Sequence, residues 1–405
     1  MLNSPPNLSL SIATPLLAGL LLACATPAVG ATATATREAK HPVVRAVVAN
    51  TAGALTVHHA ATGTTLLEVN LPGPASSLVP LGDQRHVAAV VGTKNTAQLI
   101  DAGSWSEPHD DHAHSFVTTP SLVGPGLTSD RPSHVVADGD HVVVFGDGTG
   151  AADRYSLAAL AAGKTTPTST VRAPHAHHGV AVPLGETTLL STASSAGGRP
   201  DTIVHLDASG RVLARFPGCP GLHGEASGID WAAFGCADGT LLVEGSPLRA
   251  RKVSYPSALT GRVGTWNRTP SGRHLIGAYG TLGVLLLDRT TGSQHLTPIS
   301  GVVHAVKADS TAAAALVLSR DGRLQRLAAR NGKSIRSVQA VEPFSAPTGA
   351  PSPKLAVTGG RVAVSDPARG RVVMFDARTL RQTGAFRTPG TPAQLTLTGA
   401  APADR

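Results

Sequence analysis

One unit recurs along the chain: a short run of apolar residues closed by a turn of the type Asp-Ala-x-x-Gly. It occurs at 57–63, 99–103, 155–159, 205–210, 243–247, 287–292, 327–332 and 375–378. The spacing is roughly 40 to 55 residues, the period of a β-propeller blade of four short strands. Most instances are preceded by a second apolar run with its own Gly or Asp-Gly turn, as at 140–146 and 360–366, which is a hairpin signal. From Pro42 onward the chain divides into eight units of about 45 residues, so eight blades are expected, with seven as the nearest alternative. A lone strand pair cannot bury its apolar face, so such units must close into a ring. The expected fold is all-β, a single β-propeller domain over 42–405.

Composition agrees. Among 405 residues there are 44 Gly and 30 Pro, too many for helical bundles, and the 41% apolar content suffices for a core. The formal charge of +8 raises the question of a nucleic-acid partner. The cations are scattered, however, and the densest group, Arg249, Arg251 and Lys252, has no aromatic beside it for base stacking. No nucleic-acid partner is expected.

The apolar run from Ile12 to Ala25 is too short to span a bilayer and precedes small residues, which marks a signal peptide over 1–30. Two cleavage readings stand side by side. Leu21-Leu22-Ala23-Cys24 has the form of a lipobox, in which Cys24 would carry the lipid; Ala28-Val29-Gly30 before Ala31 has the form of an ordinary site. Residues 31–41 are expected to be a flexible segment. Either reading places the domain outside the cytoplasm, with contact to a membrane only through Cys24. In that oxidising setting the remaining pair, Cys219 and Cys236, is expected to form a disulfide closing a loop of about 17 residues.

Seventeen histidines stand out, because imidazole is the commonest metal ligand. Three His-rich segments fall at what read as consecutive blade transitions, where loops cluster at the channel mouth. The candidate ligands are His109, Asp111, His112 and His114 in the first, His175, His177 and His178 in the second, and His223 and Glu225 in the third. On an extended segment His-x-His points both rings to one side, and Zn²⁺ takes imidazole and carboxylate in tetrahedral sets. Copper(II) and nickel(II) suit the same donors. His304 is an outlying candidate. His58, His59, His86, His134, His141, His205, His274 and His295 are isolated and read as surface or core.

The segments 109–116, 174–179, 219–226 and 234–239 together make the chain resemble the AztD-type zinc metallochaperones, exported β-propeller proteins associated with zinc ABC transporters. The resemblance implies Zn²⁺ binding at a propeller face and transfer to the transporter's solute-binding protein. It also implies a carrier rather than an enzyme. One departure is that residues 32–40 contain no His that could help transfer, and His41 stands alone.

Enzyme motifs are incomplete. Gly163-Lys164-Thr165 lacks the first Gly of a phosphate loop, since Ala158 stands there, and Ser227 sits one place late for a nucleophile elbow. The alternative function is a metal-dependent hydrolase or lactonase with Glu225 as general base. A metal-free scaffold for protein partners is a third reading. The protein is expected to be a monomer.

Overall fold

Apolar runs such as His86–Val91 and Ala314–Ser319 are buried along their whole length, as strands covered on both faces must be. Outer runs such as Thr65–Asn70 are at most half-buried, as strands with one face in water must be. The computed structural model describes Met1 and residues 36–109, 112–256 and 261–400. The signal peptide, Cys24 and Asp111 therefore lie outside the described residues.

The strands form eight four-stranded antiparallel sheets, each one blade. All eight recurring units of the sequence are the ends of third strands, from Ala54–His59 in the first blade to Arg371–Asp376 in the eighth. The first blade is composite. Its inner strand is Pro392–Thr398 from the far end of the chain, paired in register with Arg45–Asn50, and this pairing closes the ring.

Eight apolar clusters fill the molecule, each centred on the seam between two successive blades. Valine, leucine and alanine dominate them. The arginines, which in sequence raised the question of a charged patch, tie blades together instead. Arg154 donates to the Thr187 carbonyl at 2.8 Å, and Arg326 reaches both Asp309 (2.9 Å) and the Ala377 carbonyl (3.0 Å). Even in the densest group, Arg251 pairs with Glu244 and Lys252 with Asp238. Cys219 and Cys236 form the expected disulfide, fully buried in the seam between the fourth and fifth blades.

Strand direction alternates within a blade, so the ring has two distinct ends. Loops from one blade to the next share an end with the turns between second and third strands, here the upper end. Turns between third and fourth strands lie at the lower end. One of these is greatly extended: between Thr96–Asp101 and Ser121–Thr128 of the second blade, the chain inserts a hairpin of Ser104–His109 and His112–Val117. Gly103 starts the hairpin at φ +67, where a Cβ would strike the Thr118 carbonyl. Within the segment expected to be flexible, Arg37–Ala39 forms a third strand on this hairpin, with Glu38 opposite Phe116.

Candidate metal centres

The inserted hairpin carries the first His segment, which is therefore not a blade transition and sits at the lower end. The register places His109 opposite His112 and His114 opposite Glu107. The i, i+2 spacing puts His112 and His114 on one face. Their Nε2 atoms are 3.1 Å apart, and the donor atoms of His109, His112 and His114 all lie within 4.8 Å of one another. Donors on a tetrahedral zinc with 2.0–2.1 Å bonds would be about 3.3 Å apart, so the set suits that ion with little movement. His114 Nδ1 donates to Glu38 Oε1 at 2.7 Å, which fixes its tautomer and turns Nε2 toward the other rings. The base of the hairpin is held by aromatic packing: Trp105 stacks on Phe116 at 5.4 Å, and the Arg85 guanidinium lies 3.8 Å over the Trp105 ring.

A second cluster forms at the upper end. It joins His178 from the loop before the fourth blade to His223 and Glu225 on the inner strand of the fifth. The third imidazole is His134, on the inner strand of the third blade. Ring centroids are 5.3 Å apart for His134–His178, 5.5 Å for His178–His223 and 6.1 Å for His134–His223. Three imidazoles on one tetrahedral zinc would have centroids about 5 Å apart. His178 Nδ1 donates to Asp147 Oδ2 at 2.7 Å and His223 Nδ1 to the Gly264 carbonyl at 2.9 Å. Their Nε2 atoms are thereby left as acceptors for an ion. Glu225 Oε1 stands 3.7 Å from His134 Nδ1, while Oε2 is buried without a hydrogen-bond partner. A buried carboxylate oxygen with no donor is a site in want of a cation.

Backbone irregularity makes this convergence. Gly224 is the extra residue of a β-bulge, because His223 pairs with Gly235 and Glu225 with Phe234. Its φ of +73 and its approach to the Gly264 backbone exclude a side chain. A similar register shift between Pro132 and His134 alters the entry of the third blade.

The charges respond to one another. Burial disfavours the His134 cation, but the Glu225 carboxylate, helped by Asp147, outweighs it and holds His134 above the usual imidazole range. Burial holds His223 below that range, and Arg262, His134 and His178 add to the effect. Burial opposes the Asp147 charge, yet hydrogen bonds from His178 and Ser133 keep its carboxyl below the usual range.

Other sequence candidates are elsewhere. His175 is exposed and belongs to neither cluster; its carbonyl accepts from His177 Nδ1 at 2.8 Å. His177 is 2% exposed, its Nε2 bonded to Ser191 Oγ at 3.2 Å and its ring against Phe145. Both nitrogens are used, so it is a packed core histidine. The segment is a loop rather than a strand, so the His-x-His argument does not hold for it. His304 Nε2 bonds the Pro353 carbonyl at 2.8 Å and stands apart from both clusters. His134 was read as isolated; only its place near the start of an inner strand, as with His223, signalled it.

No protein-family model matches the chain. The zinc chaperone AztD of Citrobacter koseri is 29% identical over 348 residues, covering 83% of this chain and 82% of that protein. The crystal structure of Citrobacter koseri AztD superposes with a TM-score of 0.83 at 26% identity, over 90% of this chain and 100% of that one. The structure of its apo form gives 0.82 at 27% identity, over 88% and 98%. Dihydro-heme d1 dehydrogenase NirN shares the fold alone, with a TM-score of 0.59 at 11% identity, over 89% of this chain and 79% of that one. The resemblance seen in the His segments thus extends over nearly the whole ring.

The two adjacent histidines, His177 and His178, separate packing from ligation. His177→Ala should lower stability in urea unfolding by about 1–3 kcal/mol, the cost of orphaned buried partners, and leave zinc stoichiometry unchanged. His178→Ala should do the reverse: stability within about 0.5 kcal/mol of the parent, as for a surface position, and weaker zinc binding in chelator competition.

Proposed function

We propose that this chain, which shares its fold and nearly its whole length with the AztD zinc chaperones, is an extracytoplasmic carrier of Zn²⁺. It hands the ion to the solute-binding protein of a zinc ABC transporter. The observation that carries this reading is the convergence of imidazole nitrogens, three at each end of the ring, with Nδ1 of His114, His178 and His223 already bonded and Nε2 left for an ion. The lower site uses His109, His112 and His114, with Asp111 between them in sequence as a further donor. The upper site uses His134, His178, His223 and Glu225. Zinc is cargo here: imidazole and carboxylate donors bind it firmly, and the exposure of His109, His112 and His178 lets incoming ligands replace outgoing ones. Carriage needs no general base or polarised water. A buried disulfide is in keeping with an oxidising compartment.

The upper site should be pH-sensitive in a definite direction. A proton on His134 competes with zinc, and Glu225 retains that proton to a higher pH than a free imidazole would. Zinc affinity there should therefore fall as pH drops, with the loss beginning above about 6.5, the ordinary imidazole value. In Glu225→Gln the midpoint of the loss should move to lower pH, measured by chelator competition across pH 5–8.

Transfer distinguishes a chaperone from a store. Zinc-loaded protein mixed with an apo solute-binding protein should deliver its ion faster than spontaneous dissociation, at a rate that rises with acceptor concentration. Stopped-flow fluorescence reads this rate directly. A rate equal to the off-rate into excess chelator leaves only storage.

A further inference from the structure

The lower mouth of the central channel holds a cavity of about 250 Å³ unrelated to either His cluster. Its lining is mixed: Leu355 and Leu395 give it apolar surface, and a slightly larger polar share includes Gln84, Lys307, Ser310 and Thr358. Two features of this lining are unexplained by folding, and a third, the backbone of Gln84, is held by the fold itself. Lys307, on the inner strand of the seventh blade, has no hydrogen bond or ion pair to any described residue, although channel water reaches it. The nearby carboxylate of Asp309 is committed to Arg326 and Thr311. Enclosure by protein holds the Lys307 ammonium below its usual range. Ser310 Oγ is buried and has no partner. Gln84 adopts a left-handed backbone, φ 54, uncommon for a residue with a side chain and held by bonds from Thr398 and Gly399 to its carbonyl.

We propose that this mouth binds a small organic carboxylate, with Lys307 and Ser310 holding the charged end and the leucines the hydrocarbon end. One unpaired ammonium matches one negative charge, and a charge-assisted hydrogen bond to a carboxylate is stronger than one between neutral groups. The volume is that of about eight waters, room for an acid of similar heavy-atom count. The leucine surface accepts a short hydrocarbon part, and the second charge of inorganic phosphate would meet no second cation among the lining residues.

Benzoate, hexanoate and phosphate, each titrated at constant ionic strength against the whole mature protein, test this. Benzoate or hexanoate should raise the melting temperature saturably, and phosphate should not. Lys307→Met should weaken the carboxylate effect at least tenfold while zinc binding is retained. As a check that needs no variant, the carboxylate should slow modification of Lys307 in the parent protein by an amine-reactive reagent, read by mass spectrometry. No saturable shift, a shift undiminished in Lys307→Met, an equal effect of phosphate, or an unprotected Lys307 would each overturn the proposal.

Discussion

The pairing of Pro392–Thr398 with Arg45–Asn50 is the interaction on which the rest of the structure depends. Each blade buries its faces only against its neighbours, so an open array would expose two apolar faces and two strand edges. Closure removes both at once. Leu395 and Leu397 of the closing strand complete the seam between the eighth and first blades. The cost is a contact between residues nearly a whole chain apart, but the entropy of closing a loop grows only slowly with its length.

A closed ring of packed seams also dictates where chemistry can happen. The seams are apolar and full, so metal donors are confined to the ends. The two ends solve the problem differently. At the lower end an inserted hairpin brings its own histidines, and a borrowed strand supplies Glu38 to orient one of them. At the upper end three separate blades contribute, and the bulge at Gly224 brings the His223 strand hard against the Gly264 backbone. The lower set is exposed and local in sequence. The upper set is partly buried and coupled to Glu225 and Asp147. On the proposed reading the exposed set would exchange its ion more readily than the partly buried one, whose exposed member, His178, would be its point of entry for incoming ligands.

The fold was legible because the repeating turn carries it: a third strand followed by a Gly or Asp turn recurs in most blades, although in the third Ser156 caps a short helix instead. The disulfide was legible from two cysteines and a compartment. The candidate sites were legible only in part, because composition locates histidines but not the direction they face. His112 and His114 are neighbours by sequence alone, since a strand fixes their side, but no local pattern tells their inserted hairpin from a blade transition. His177 belongs to the core because its loop turns it inward onto Ser191 and Phe145. His134 was missed because its partners come from two other blades, a contact no local pattern encodes.

The central claim is that zinc is held at two places, one at each end of the ring. Anomalous diffraction at the zinc edge, from crystals of the zinc-loaded protein, tests it most directly. The account predicts two peaks, each about 2.1 Å from imidazole nitrogens: one amid His109, His112 and His114, the other amid His134, His178 and His223. A peak on His175 or His177, or an upper mouth without one, would contradict it.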